Sequence, residues 1–251
     1  METVSGGRNW IFLRGLMRGR GHWADFYELF TERFPQDKVE LIDLPGNGER
    51  HLESSPTQIS EFVNDLRVKS EFLQMGQSVN ILALSLGGMI ALEWAQQFPD
   101  EVESIHLVCT STSSTSNIFE RLQPAVLPHI CKMAFLTQNA QAFEEHILKM
   151  ISNNHDRQIQ LLPQLTEYSE KYPVKLENFF RQIMAASQYQ APESPRVRTQ
   201  IIGSWGDRMV SPQCSVKLAQ KFGLEAVMHP WSGHDIPIDD PQWLLAHLDE
   251  S

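Results

Sequence analysis

Short, mostly apolar runs recur along the first half of the chain. They cover residues 10–13, 39–42, 79–84 and 105–108. Strands with so little polar alternation are typical of a parallel sheet that helices cover on both faces. The segments between the runs have helical patterns. This alternation predicts an α/β fold whose strands begin near Trp10, Lys38, Val79 and Val102.

Three of the intervening helices leave a clear pattern. The first buries one face through residues 23, 26, 27 and 30, which follow the i, i+3, i+4, i+7 spacing. A polar helix is expected over about residues 58–73. The third follows the run 79–84, covers residues 88–97 and ends before Pro99. Each helix connects two predicted strands, as βαβ units require.

The alternation stops after Cys109 and returns near residue 199. Between residues 119 and 190 every pattern is helical. Strands are then expected near Thr199 and Ala226, with helices over residues 214–222 and from Pro241 onward. We therefore predict one core α/β domain in two parts, residues 1–115 and 194–251. A helical cap insertion over residues 116–193 interrupts it.

The composition narrows the possible partners and surroundings. The 251 residues are 41% hydrophobic, which suits one domain with a large core, and the net charge is −10. An acidic chain argues against a nucleic-acid partner. Three widely spaced cysteines predict neither a disulfide framework nor a zinc site. Without a signal-like start or a long apolar run, we expect a soluble cytoplasmic protein with no membrane span. The sequence leaves its oligomeric state open.

Ser85 stands between a predicted strand and a predicted helix, in the segment Ala83-Leu84-Ser85-Leu86-Gly87. A serine on such a sharp turn exposes its hydroxyl at the edge of the sheet, and the turn requires small residues two positions before and after it. The helix that follows directs its positive dipole end at the same place. Ser85 is therefore a candidate nucleophile, although a serine that only caps the helix would leave the same pattern.

A serine nucleophile needs a base, and the base needs an acid to orient it. Asp207 follows the strand near Thr199, and His234 follows the strand near Ala226. The chain order Ser, Asp, His and the placement after strands both fit a catalytic triad. Two plainer interpretations stay open: Asp207 as a helix cap, and His234 as a surface loop residue.

Together, these segments resemble the α/β-hydrolase superfamily, and the small bacterial carboxylesterases in particular, including the methyl esterases that act on pimeloyl-carrier protein. The resemblance extends to the loops at Arg14-Gly15 and at residues 43–48. It implies that the backbone N–H groups of Leu16 and Leu86 form the oxyanion hole. It also reveals a departure, because members of the family usually carry histidine where this chain has Arg14. A second, minor one is Ala83 in place of the first glycine of the turn.

Arg14 has two possible roles. It could bind a substrate carboxylate, since arginine pairs with carboxylates strongly and directionally. It could instead pair with a nearby acid and brace the loop that the family's histidine normally holds, which is the interpretation we favour.

The sequence as a whole predicts a serine hydrolase that cleaves an ester or thioester of a small-molecule acyl substrate, through an acyl-enzyme on Ser85, without a metal or an organic cofactor. The alternatives are a C–C bond hydrolase, a lyase of the menaquinone-pathway type with the same triad, and an inactive relative that binds a ligand. Apolar cap residues are expected to line the pocket: Phe119, Leu122, Leu127, Ile130, Met133, Phe135 and Leu136.

Overall fold

The computed structural model describes residues 7–136 and 139–248, without the side chains of residues 134–136. Within this part of the chain, six parallel strands form one sheet, in the order β2-β1-β3-β4-β5-β6. The strands are β1 (Asn9–Leu13), β2 (Lys38–Leu41), β3 (Val79–Leu84), β4 (Val102–Val108), β5 (Arg198–Ser204) and β6 (Ala226–His229). The predicted α/β fold is confirmed, and every strand begins within one residue of its expected position.

Twelve helices accompany the sheet in the described residues. Before β5 they are α1 (Phe26–Arg33), α2 (Ile59–Lys69), α3 (Glu71–Gln74), α4 (Leu86–Gln97), α5 (Ile118–Arg121), α6 (Leu127–Leu136), α7 (Ala140–Ile151), α8 (His155–Lys171) and α9 (Leu176–Gln188). After β5 come α10 (Gln213–Phe222), α11 (Ile236–Asp239) and α12 (Pro241–Leu248). None of them is both long and apolar enough to cross a membrane.

The two faces of the sheet bury separate cores. Along β1, Ile11 and Leu13 pack into a cluster with residues of α2, α4 and α10, whereas Trp10 and Phe12 pack into another with residues of α1 and α12. All four side chains are fully buried. Because successive side chains of a strand point to opposite faces, a strand covered on both sides is mostly apolar. This is the physical reason why the runs show so little polar alternation.

The polar helix expected over residues 58–73 is interrupted. Ser70 adopts an extended conformation between α2 and α3, with φ −69° and ψ 120°. Its hydroxyl accepts from the Leu73 N–H and donates to the Glu40 carboxylate, which also accepts from the Phe72 N–H at 2.7 Å. Glu40 on β2, 30 positions before Ser70, therefore stabilises the break between α2 and α3. The local hydrophobic pattern of residues 58–73 does not reveal this break.

Every element described between β4 and β5 is a helix. Side chains from four of these segments pack with Met17 into a third apolar cluster, whose members include Met133, Phe143, Ile147 and Phe179. This cluster lies over the loop that follows β1, at the carboxyl end of the sheet. The arrangement supports our proposal that residues 116–193 form a cap, and below we call this segment the cap.

The strand order places a crevice where two loops meet. The chain passes from β1 outward to β2 and then returns to β3 on the other side of β1. Ligands of open α/β sheets bind at such a switch point, beyond the carboxyl ends of the strands. Here the loops after β1 and β3 begin at Arg14 and Ser85, so the topology itself brings these two segments together.

Candidate active site

Ser85 occupies a strained turn between β3 and α4. Its φ of 56° and ψ of −113° lie in a region that residues other than glycine rarely adopt. Three hydrogen bonds hold it: the Ser85 N–H donates to the Val108 carbonyl at 2.8 Å, and the Ser85 carbonyl accepts from the Gly88 N–H and the Thr110 hydroxyl. Such strain persists only where the surroundings impose it, and it is concentrated at functional sites.

Glycines allow the segments around Ser85 to approach closely. A Cβ on Gly87 would lie 2.7 Å from the Leu13 carbonyl oxygen and 2.8 Å from that of Arg14. A Cβ on Gly15 would lie 3.1 Å from the Ser85 Cβ. Position 87 therefore needs a small residue because α4 packs directly against the backbone at the end of β1.

His234 and Asp207 form a buried pair. The His234 Nδ1–H donates to Asp207 Oδ2 at 2.7 Å, and both residues are at most 6% exposed. The other oxygen of Asp207 accepts the Met209 and Val210 N–H groups, each at 2.9 Å. The carboxylate therefore stabilises a turn as well as orienting the imidazole. It does not cap the following helix, because α10 begins at Gln213 and has Pro212 at its N-cap position.

The pKa of His234 is raised above its usual value of 6.5 by its surroundings. Burial acts in the opposite direction, because it disfavours the imidazolium, but the charge and hydrogen bond of Asp207 and the charge of Asp235 outweigh it. An imidazole whose Nδ1–H is held by a carboxylate presents Nε2 as a proton acceptor. His234 is thus chemically suited to be a general base.

Ser85 and His234 line the same narrow cavity. Its volume is about 50 Å³, and its apolar wall contains four methionines: Met17, Met133, Met150 and Met209. Within the described residues, no hydrogen bond joins the Ser85 and His234 side chains. The structure thus brings together all three predicted triad residues but forms only the His–Asp contact, and such contacts often tighten only when substrate binds.

A wider cavity of about 300 Å³ also opens at Ser85. Leu16 and Leu86, the predicted oxyanion-hole residues, both line it together with Ser85. Leu86 is the first residue of α4, where the N–H has no acceptor within the helix. Both N–H groups therefore belong to segments that meet at Ser85, as an oxyanion hole requires.

The predicted pocket wall is only partly found. Ile130 and Met133 line the narrow cavity, and Leu122 lines the wide one. Phe119 and Leu127 are instead 65% and 46% exposed, because they lie on the outward faces of short cap helices. The side chains of Phe135 and Leu136 lie outside the described part of the structure.

Arg14 is paired with an acid. Its two Nη groups donate to the two oxygens of Asp235, with one N–O distance of 3.1 Å, and both residues are at most 2% exposed. The guanidinium also lies 4.9 Å from the centre of the Trp23 ring. The sequence did not identify Asp235 as the partner of Arg14. The need of a buried arginine for a carboxylate is the signal that could have identified it.

One cluster at the predicted triad has metal-ligand residue types. Possible donor atoms of Cys109, Asp207 and His234 lie within 4.8 Å of one another. Burial and nearby carboxylates raise the pKa of the Cys109 thiol well above its usual value. A metal would require the thiolate and would compete with the existing His–Asp hydrogen bond. The cluster therefore fits a triad better than a metal site.

Comparisons with known proteins agree with this geometry. The sequence profile described as the alpha/beta hydrolase fold matches residues 11–241. The pimeloyl-[acyl-carrier protein] methyl ester esterase of Chromobacterium violaceum is 35% identical over 111 residues, which are 44% of this chain and 40% of that relative. The match to the same esterase of Nitrosomonas europaea is 27% identical and also spans 40% of its length. The matched segment thus spans 40% of the length of each of these relatives.

Solved structures share the fold over nearly the whole chain. The enol-lactonase of Burkholderia xenovorans has a TM-score of 0.76 at 18% identity, covering 99% of this chain and 92% of that one. A thermophilic esterase of Thermogutta terrifontis has a TM-score of 0.71 at 17% identity, covering 97% and 89%. At such identities the likeness concerns the fold alone.

Proposed function

The chain belongs to the α/β-hydrolase fold family, and from this membership and the geometry of the site we propose that it hydrolyses an ester through an acyl-enzyme on Ser85. One observation carries the proposal. A serine on a strained turn and a buried His–Asp pair line the same cavity at the carboxyl end of the sheet. The names of the matched relatives, which are esterases, support the same reaction class.

Each proposed residue has one role in the reaction. His234 Nε2 takes the proton of the Ser85 hydroxyl as its oxygen attacks the ester carbonyl, and Asp207 stabilises the imidazolium. The N–H groups of Leu16 and Leu86 stabilise the oxyanion of the tetrahedral intermediate. The imidazolium then protonates the departing alcohol. Water attacks the acyl-enzyme by the same steps, which releases the acid and restores Ser85.

The two cavities favour a small leaving group. The leaving oxygen must come within hydrogen-bond reach of His234, which lines the cavity of about 50 Å³. The wide cavity of about 300 Å³, beside Leu16 and Leu86, then receives the acyl group. We infer an ester of a small alcohol, such as a methyl ester, with a longer apolar acyl chain. A thioester with a bulky thiol fits this arrangement less well.

The Arg14 contact disfavours the alternative reactions. A substrate carboxylate bound by Arg14 would favour a C–C bond hydrolase or a lyase of the menaquinone-pathway type. Both Nη groups of Arg14 are occupied by Asp235. An ester hydrolase needs no such recognition.

A fluorophosphonate probe separates an enzyme from an inactive binding protein. The probe should label the wild-type chain and fail to label Ser85→Ala, because it reacts only with an activated serine. A series of esters of one acid then tests the leaving-group assignment. We expect kcat/KM for the methyl ester to exceed that for the benzyl ester at least about tenfold. A reversed order would refute the assignment but leave the hydrolase proposal intact.

A further inference from the structure

The loop of residues 14–18, below called the oxyanion loop, contains a tight turn with a strained residue. The Arg18 N–H donates to the Gly15 carbonyl at 3.3 Å, and between them Met17 has a φ of 60°. A non-glycine residue in this left-handed region needs support from its surroundings. The turn also contains the Leu16 N–H, which lies one peptide plane before the Met17 N–H, so a shift of the turn moves both groups.

A single side chain of the cap holds this turn. Gln182 lies on α9 and is fully buried. Its Oε1 accepts the Met17 N–H at 3.0 Å, and its Nε2 donates to Asn47 Oδ1 at 2.7 Å. Asn47 Nδ2 in turn donates to the Arg18 carbonyl at 3.1 Å. Met17, Gln182, Asn47 and Arg18 thus form a closed ring that fixes both a donor and an acceptor of the oxyanion loop.

A second contact ties the same loop to other cap helices. Arg18 Nη1 lies 2.8 and 2.9 Å from the two oxygens of Glu144 on α7, and the Ser169 hydroxyl on α8 donates to Glu144 at 2.6 Å. Arg18 and Glu144 are both buried. The loop that follows β1 is therefore held from above by three helices of the cap.

We propose that Gln182 is a positioning residue that sets the direction of the Leu16 N–H, so that the cap builds half of the oxyanion hole. The inference rests on the proposed function, because it assumes that an oxyanion forms beside Leu16. Gln182 touches no reacting atom itself, and it acts only through Met17. If it is removed, the strained turn can relax, and the Leu16 N–H loses its aim at the developing charge.

The cap offers a matched control one helical turn away. Asn178 lies on the same face of α9, is 2% exposed, and also makes amide hydrogen bonds across the interface. It accepts the Ser55 N–H and donates to the Glu53 carbonyl, each at 2.9 Å, but within the described part of the chain it makes no hydrogen bond to the oxyanion loop. Gln182→Met and Asn178→Leu therefore remove comparable buried contacts between α9 and the core, and only the first reaches the loop.

The test compares these variants on a methyl ester, with turnover normalised to the fraction of chains that a fluorophosphonate titrates. For Gln182→Met we expect kcat to fall by about 10- to 100-fold with KM changed less than about threefold, because one oxyanion donor loses its alignment. The affinity for a trifluoromethyl ketone, which forms a tetrahedral adduct on the serine, should fall by the same factor. Asn178→Leu should keep kcat within about threefold of the wild type.

Equal losses of kcat in the two variants, or an unchanged kcat in Gln182→Met, would overturn the proposal. If Gln182→Met does not fold, Gln182→Asn decides, because its shorter side chain keeps a buried amide but withdraws the acceptor from the Met17 N–H. A lower kcat at unchanged KM then supports the proposal, and an unchanged kcat overturns it. A wild-type chain that hydrolyses no ester would instead refute the proposed function.

Discussion

Three residues near the site, Met17, Ser85 and Cys109, combine a side chain with a positive φ, at 60°, 56° and 48°. Ser85 and Cys109 directly follow β3 and β4, and Met17 lies in the loop after β1. A non-glycine residue in such a conformation costs about 1–3 kcal/mol. The carboxyl edge of the sheet therefore stores strain that the buried core offsets, and that strain aims backbone and side-chain groups at one point.

Removal of the triad residues should abolish turnover without unfolding the chain. We expect Ser85→Ala and His234→Ala each to lower kcat by about 10⁴-fold or more, because nucleophile and base act as a unit. Asp207→Asn should cost somewhat less, since the imidazole is disturbed rather than deleted. Ester hydrolysis followed in a pH-stat measures the losses, and circular dichroism checks the fold. Near-normal turnover by Ser85→Ala would refute the assignment of the nucleophile.

The pH dependence of turnover should report the charge environment of His234. Only the neutral imidazole can accept a proton, so kcat/KM falls as the pH drops through the pKa of His234. That pKa is raised by Asp207 and Asp235 against the effect of burial. We expect the acid limb of the profile to have its midpoint above 6.5. Asp156→Asn, which removes an exposed carboxylate on α8, should leave the midpoint unchanged. A wild-type midpoint below about 6 would contradict the inferred environment.

Arg14 should act as a brace rather than as a substrate-binding group. In Arg14→Met, Asp235 loses its buried partner, which destabilises a protein by about 3–5 kcal/mol. Asp235 also adjoins His234, so kcat should fall by a similar factor for a neutral ester and for one with a free carboxylate. The double variant Arg14→Met with Asp235→Leu should regain most of the free energy of unfolding. A loss confined to the acidic ester would show that Arg14 recognises the substrate.

At the scale of elements, the junction between β1 and α4 depends on the absence of a side chain at Gly87. Alanine is the better helix former by about 1 kcal/mol, yet its Cβ would meet the Leu13 and Arg14 carbonyl oxygens at 2.7 and 2.8 Å. These backbone atoms can move only if α4 or β1 shifts, so Gly87→Ala should lower the free energy of unfolding by about 3 kcal/mol. Because α4 must shift, kcat should fall as well.

Gly223→Ala, at the end of another helix, is the control for Gly87→Ala. Gly223 ends α10 with a φ of 69°, and a Cβ there would meet no atom within 4 Å. Its strain should cost about 1–2 kcal/mol in urea unfolding and leave kcat unchanged. If both substitutions had the same effect on turnover, the contact between α4 and β1 would not be what positions Ser85.

The elements also show what sequence can and cannot predict here. Strands that are buried on both faces appear in the sequence as mostly apolar runs, so the start of each strand could be predicted to within one residue. Ser70 interrupts a helix through a contact with Glu40, and Gln182 reaches Met17 across 165 positions in sequence. Such long-range polar contacts leave no local periodicity. The triad that we propose could be assigned from residue type, chain order and placement after strands, and the structure places its His234 and Asp207 in contact. The support of the oxyanion loop had no such signal in the sequence.

The whole molecule brings distant segments to one edge of a sheet. Ser85, Asp207 and His234 each follow a different strand, and Arg14 and Asp235 are 221 positions apart. Hydrogen bonds between such distant segments form only in the folded chain. A condition that lowers the free energy of unfolding therefore also disrupts the site, and low pH is such a condition.

Two buried histidines should make the fold sensitive to acid. Burial lowers the pKa of both His22 and His106 to about 4 from the usual 6.5. For His22 the charge of Arg18 adds to this, and for His106 the hydrogen bond to Gln200 partly offsets it. Between these pH values the unfolded chain binds protons that the folded chain does not. Stability is therefore lost as the pH falls from 6.5 toward 4.

Each histidine should cost the fold about 2 kcal/mol between pH 7.5 and pH 5, since one pKa unit corresponds to about 1.4 kcal/mol. His106→Gln keeps a polar side chain beside Gln200 and Ser104 but cannot take up a proton. Its free energy of unfolding, measured in urea at both pH values, should therefore fall by about 2 kcal/mol less than that of the wild type. His155→Gln changes an exposed histidine on α8 and should leave the pH dependence as it is. If His106→Gln lost as much stability as the wild type, the imidazole would not be the group whose protonation weakens the fold.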